Sequence, residues 1–257
     1  MMLFNSIGQS YSNTRQADKR IVDRLIRLLG LEYSASVADV GAGTGNYSIA
    51  LAEKGFKIKA LEPSPVMRSR APEHPNVEWI AGYAEDIPLK NNSVEGVIST
   101  LALPHFSDVE RAIQEMARIL KQGPIVIFTF DPKAGRRTWL YDYFPYFWDA
   151  FDQLPSLPEV SYMLEQASEQ QTIVEAFSLP PDLKDNFAAA GWRQPQLYLD
   201  KLYRANISSF RKTDPDVVGK SVGRLAADLA SGRWKDMYGT ILKLHEMDAG
   251  YRFLLKK

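Results

Sequence analysis

Gly41, Gly43 and Gly45 fall within five residues, directly after the apolar run Val37 to Val40, and Glu62 follows about 20 residues after the turn. Glycines at that spacing let the main chain turn tightly and approach a ligand closely. The helix expected from Asn46 would point its first backbone N–H groups at the same ligand. An acid at the end of the next strand can accept both hydroxyls of a ribose. The spacing is G-x-G-x-G; the third glycine of the dinucleotide pattern is replaced by Asn46. A second chemical candidate is His105 in "LPH", just past a fourth expected strand, where ligands collect in open α/β sheets and a proton could be abstracted from a bound molecule. Its plain alternative is a loop histidine that only packs.

The elements that must position these residues follow from hydrophobic periodicity. Ile21, Val22, Leu25, Ile26 and Leu29 recur at helical spacing and Gly30 closes that helix. Short β-branched runs then alternate with helical stretches: Val37 to Val40, Ile58 to Leu61, Val77 to Ile80, Val94 to Ser99 and Ile125 to Phe130. Such alternation predicts a doubly wound α/β fold, a mostly parallel sheet with helices on both faces. Ser107 and Glu110 form a capping-box pattern ahead of the stripe Val109, Ala112, Ile113, Met116 and Leu120, with Gly123 and Pro124 as the stop. Further on, Asp182 to Ala190 reads as a helix, "QLYLDKLYR" as a strand, Pro215 to Ala230 as a helix and "GYRFLLKK" as a closing strand.

Composition narrows the partners. Among 257 residues, 31 basic side chains balance 31 acidic ones, so the broad positive field that drives nucleic-acid binding is absent. With no cysteine, disulfides, Cys-ligated zinc and thiolate nucleophiles are excluded. No His or carboxylate spacing predicts a metal site, and no G-x-S-x-G elbow occurs. The stretch "MMLFNSIGQSYSNTRQADKR" has no basic flank leading into an apolar run and nowhere do 18 apolar residues occur together, so a cytoplasmic protein without membrane or nucleic-acid partners is expected, acting as a monomer or homodimer on a small molecule.

In "DVGAGTG", "ALEPS", "AGYAEDIPLKNNSVEGVIST" and "ARILKQGPIVIFTF", in that order over roughly residues 35 to 131, the chain resembles class I S-adenosylmethionine-dependent methyltransferases of the small-molecule type. The resemblance implies S-adenosyl-L-methionine as cofactor, a Rossmann-like sheet of seven strands, and methyl transfer by direct in-line displacement. It also implies roles. Asp39, Gly41 and Gly43 line the methionine and sulfonium end, Gly45 allows helix packing and Glu62 holds the ribose. Ala84 and Glu85 border the adenine, and Ser99 and Thr100 offer backbone to the methionyl ammonium. Tyr11 and Arg15 resemble a cofactor-covering "Y-x-x-x-R" segment. Tyr83 departs from the family, where an aspartate or asparagine is common; either Glu85 substitutes or Tyr83 covers the base.

The segment after Asp131 has a different character, with eight aromatics in the thirteen residues from Trp139. It is read as a helical and aromatic cap over the acceptor side, with Trp139, Tyr143 and Trp148 as a pocket wall; core or dimer interface is the alternative. The resulting division is a cofactor core at 1–131, a cap at 132–190 and strands and helices at 191–257 that complete the sheet. A noncatalytic S-adenosylmethionine-binding sensor or partner subunit is a second reading, and a nicotinamide-dependent oxidoreductase a third.

Overall fold

The computed structural model describes residues 15–135, 138–149, 154–168 and 170–257. Seven strands form one sheet: β1 (Ser36–Val40), β2 (Lys57–Leu61), β3 (Val77–Ile80), β4 (Gly96–Thr100), β5 (Ile125–Phe130), β6 (Ile173–Ala176) and β7 (Tyr251–Lys256). Their spatial order is β3-β2-β1-β4-β5-β7-β6. The first five pair in parallel, and β7 inserts antiparallel between β5 and β6. The strand order reverses between β1 and β4, so their carboxyl ends open the crevice in which α/β sheets hold ligands.

The pleat sends alternate residues to opposite faces. Val126 and Phe128 of β5 join one core with α1 (Lys19–Leu29) and α2 (Asn46–Ala52). Ile125 and Ile127 join the other, covered by α3 (Val109–Ile119) and α5 (Leu157–Ser168), where α4 is the intervening Trp139–Tyr143. This double burial explains the nearly continuous apolar runs of the central strands. Helix α1 ends as the sequence predicts, with Gly30 in the left-handed region and its N–H on the Ile26 carbonyl.

Several expectations are corrected. Helix α3 is capped by Asp108, whose carboxylate accepts the Arg111 N–H, while Ser107 turns away to Glu85. The helix also ends before Gly123, because Leu120 is already extended. Asp182 to Ala190 forms turns, pinned by Asp18 accepting the Lys184 N–H and by the Arg15 to Asp185 ion pair. The stretch read as a strand near 196–204 is a short 3₁₀ turn, Pro195–Leu199, followed by a helix, Lys201–Ala205, that Asp200 caps. Local capping here overrides β propensity. Strand β6 lies inside the interval 132–190, so that interval contributes the sheet edge as well as covering helices.

The described part of the aromatic segment is core. Trp139 and Tyr143 in α4 are buried, the Trp139 indole donates to the Trp192 carbonyl at 2.7 Å, and Tyr143 Oη donates to Asp228 at 2.7 Å. Trp139 lies edge-on to Tyr198 and Trp234, which buries both ring area and the indole N–H. Neither residue reaches the cavity described below, so the pocket-wall expectation fails for both. The Trp148 side chain and Tyr11 lie outside the described residues.

Candidate active site

A cavity of about 480 Å³ opens at the carboxyl ends of β1, β2, β4 and β5. At its centre is the turn from β1 to α2. Gly41 has φ +81°, and a Cβ there would lie 2.5 Å from the Ala102 Cβ, so the turn and the loop after β4 are packed backbone against side chain. Gly43 has φ +60° and nothing within 4 Å of an added Cβ; it faces open space on the cavity wall. Gly45 stands back from the cavity, where a Cβ would meet the Trp79 ring at 2.7 Å.

Glu62 ends β2 and is 6% exposed, yet lines the cavity. Its Oε2 accepts the Gly43 N–H at 3.0 Å and its Oε1 the Ser64 N–H at 2.9 Å. Burial raises its pKa, and the two N–H donors oppose that rise. An ionised carboxylate offers about four lone-pair directions, so about two remain for a ligand.

Asp39 is not on the cavity surface. It is buried behind the glycine turn, accepts the Ser48 hydroxyl at 2.6 Å and leaves Oδ1 without a partner. Burial pushes its carboxyl up to about 7, with the Glu62 charge adding to the rise. Ser99 is likewise buried away from the cavity, its hydroxyl donating to the Val40 carbonyl at 2.9 Å. Thr100 does line the cavity and has a buried hydroxyl with no partner. Tyr83, 52% exposed, and Ala84 line the cavity. The Glu85 Oε1 is taken by the Ser107 N–H at 2.6 Å and the Ser107 hydroxyl at 2.9 Å, which turns this acid toward the β4 loop.

Arg15 reaches the opposite wall. It pairs with the fully buried Asp185, which also accepts the Tyr47 hydroxyl at 2.8 Å, and its carbonyl accepts from Asn46 Nδ2 at 2.8 Å. The segment entering α1 is thereby fastened across the start of α2.

His105 lies on a one-turn 3₁₀ helix, Leu103–His105, and also lines the cavity. By surface area the residue is exposed, yet the protein packed around the cavity wall removes much of the water an imidazolium needs. That desolvation, with the nearby charges of Lys212 and Arg15, pushes its pKa down to about 3. The ring is neutral at pH 7.

Beyond His105 the wall is built from residues the sequence reading did not select: Thr129, Phe130, Phe187, Ala188, Tyr251 and the stretch from Asn206 to Ser209 with Lys212. Phe130 and Tyr251 meet because β5 and β7 pair antiparallel in that register. Leu101, with φ +56°, is a non-glycine residue in the left-handed region at the cavity edge, where steric strain of about 1–2 kcal/mol is stored.

Set beside known proteins, the arrangement has a class. The methyltransferase domain model matches residues 38–128. A crystal structure described as a methyltransferase from an antibiotic biosynthesis pathway of Anabaena variabilis ATCC 29413 superposes with a TM-score of 0.93 at 48% identity, covering 95% of this chain and 99% of that one. The demethylmenaquinone methyltransferase of Bacillus licheniformis is 30% identical over 163 residues, 59% of this chain and 70% of that enzyme. An uncharacterized methyltransferase of Mycobacterium tuberculosis (strain ATCC 25618 / H37Rv) is 36% identical over 108 residues, and the match spans only 43% of that protein's length. The chain belongs to the class I S-adenosylmethionine-dependent methyltransferase family.

Proposed function

We propose that the protein binds S-adenosyl-L-methionine and transfers its methyl group to a small-molecule acceptor by in-line displacement. The observation that carries this reading is one continuous cavity running from Glu62 and the glycine turn to His105 and the aromatic wall. The open space beside Gly43 is a cradle that any larger side chain would fill, and Glu62 keeps acceptor capacity for two ribose hydroxyls.

Gly41 and Gly43 border the methionine end, with Thr100 beside them. Glu62 orients the ribose, and Ala84 with Tyr83 covers the adenine; Tyr83 suits this better than Glu85, whose Oε1 is engaged by Ser107. Asp39 acts from behind the turn, as a positioning residue. When bound, S-adenosylmethionine supplies a methyl group already activated on a positively charged sulfur. The protein therefore has to hold, align and exclude water, and alignment alone can supply ~7–11 kcal/mol of the barrier. Arg15, held by Asp185, helps to close the cavity over the ligand.

His105 faces the acceptor. As a neutral imidazole it accepts a hydrogen bond from an acceptor hydroxyl and can take its proton on a ring nitrogen. A pKa near 3 makes it a weak base, so its main part is to orient the nucleophile. Calorimetric titration with S-adenosylhomocysteine tests the reading: saturable binding of one equivalent is expected, and absence of binding in the folded protein would remove it.

A further inference from the structure

The two halves of the cavity wall differ in charge. Glu62 and Glu85 lie on the cofactor side, and their carboxylates are engaged by backbone N–H groups of Gly43, Ser64 and Ser107. On the acceptor side the cations are Arg15 and Lys212. Arg15 is matched by the buried Asp185. Lys212, exposed at the end of α6 (Ser208–Lys212), lines the cavity, and its side-chain ammonium makes no hydrogen bond or ion pair with another described residue. It comes close enough to His105 to help keep that ring uncharged.

The rest of this wall combines the polar Asn206, Ser208 and Ser209 with three aromatic rings, Phe187 tilted 41° and Phe130 61° from Tyr251. The Phe187 and Tyr251 rings lie 4.4 Å apart, the Phe130 and Tyr251 rings 5.2 Å apart, and Ile207 completes the lining. Aromatic rings lining a cavity favour an aromatic or conjugated guest that can pack against a ring face or edge. A bound sulfonium would add a further positive charge to the same space, which makes a cationic guest unfavourable and an anionic one favourable.

We propose that the acceptor is a small planar acid, an aromatic or conjugated ring bearing a carboxylate, whose ring packs on Phe130, Phe187 and Tyr251 and whose carboxylate is recognised by Lys212. This inference rests on the methyl-transfer reading of the same cavity and names its substrate class. It also accounts for a wall with no strong base: positive charge around the guest lowers the pKa of a ring hydroxyl, so less proton abstraction is asked of His105.

The test uses the whole protein and two probes of nearly equal shape, 4-hydroxybenzoate and neutral 4-hydroxybenzamide, titrated by calorimetry at low salt with and without saturating S-adenosylhomocysteine. The benzoate is expected to bind at least ~10-fold more tightly than the amide, as a charge-assisted contact implies. Lys212→Met, which keeps the aliphatic stem, is expected to lower benzoate affinity by ~10-fold or more while leaving the amide unchanged, and Lys212→Arg to retain most of the preference. Equal affinity for the two probes, no detectable binding of the benzoate at millimolar concentration, or an unchanged preference in Lys212→Met would overturn the proposal. Loss of S-adenosylhomocysteine binding in wild type would instead remove the methyl-transfer reading, and the probe titrations without that ligand still decide the role of Lys212.

Discussion

Gly43 and Glu62 are joined by a hydrogen bond, the glycine N–H donating to Oε2 at 3.0 Å. This contact ties the end of β2 to the turn after β1, so Glu62 and the main chain of the glycine turn move as one unit. The second oxygen is fixed by Ser64, which leaves the carboxylate few rotamers to explore before it meets a ligand. Preorganisation of this kind reduces the ordering that binding must impose.

Glu62→Ala is expected to weaken S-adenosylhomocysteine binding by about 10- to 100-fold, since a hydrogen bond to a charged group is worth ~1.5–3 kcal/mol. Melting temperature should fall as well, because the Gly43 and Ser64 N–H groups lose their acceptor. Unchanged affinity in the folded variant would remove Glu62 from the ribose site.

Two glycines separate fold from binding. Gly41→Ala drives a Cβ to 2.5 Å from Ala102 and should destabilise the protein severely, whereas Gly43→Ala meets open space and should lose only the ~1–2 kcal/mol of left-handed strain. Gly43→Ala should nonetheless bind S-adenosylhomocysteine more weakly, because its methyl group occupies the cradle. Urea unfolding and calorimetry on the pair separate the two effects.

His105→Ala is expected to slow methyl transfer by at least ~10-fold at nearly unchanged S-adenosylmethionine affinity, below the usual general-base contribution. The ordinary histidine pKa of about 6.5 would predict an acidic limb there. With the imidazole pushed down to about 3, the wild-type profile should show no histidine limb between pH 5 and 8. Single-turnover rates across that range, with either of the two enzymes at saturating cofactor, decide both points.

Asp39 and His105 load the pH dependence of stability in opposite directions. The Asp39 carboxyl is raised from 3.8 to about 7, so between those values the folded state holds a proton the unfolded chain has lost, and stability falls as pH rises. His105 is lowered from 6.5 to about 3; there the unfolded chain holds the extra proton, and stability falls as pH drops. Asp39→Asn removes only the first contribution. Its stability relative to wild type should therefore increase from pH 5 to pH 7, by up to ~1.4 kcal/mol per unit. Urea unfolding at the two pH values measures the difference, and a flat difference would contradict the assignment.

The aromatic segment gives a prediction about stability alone. Trp139→Ala should cost ~3–5 kcal/mol as a buried indole is lost, and should leave acceptor affinity intact if the variant folds. Tyr143→Phe should cost less, from the hydrogen bond to Asp228. A selective loss of acceptor binding in either variant would return these rings to the pocket.

What was legible in the sequence is the half of the site made by local chain geometry. Gly41, Gly43 and Glu62 declare themselves because a strand, a turn and a second strand must be contiguous to place them. Asp39 is expected on the cavity wall, but its side chain is buried behind the glycine turn, whereas Ser99 is expected to offer only its backbone and its buried side chain does not bear on that. The aromatic wall of the cavity was not legible. Phe130 and Tyr251 are brought together by an antiparallel pairing between distant segments, and Lys212 arrives on a short helix whose surroundings carry no local signal. Density of aromatics misled for the same reason, since Trp139 and Tyr143 are drawn inward by partners near 192 and 228 that no local pattern announces.

The central claim is tested most directly by a crystal structure of the protein with S-adenosylhomocysteine. The account predicts the ribose hydroxyls within hydrogen-bonding distance of Glu62, the ligand backbone against Gly41 and Gly43, and its sulfur directed toward the space beside His105. A ligand bound elsewhere, or one in this cavity whose ribose avoids Glu62, would contradict it.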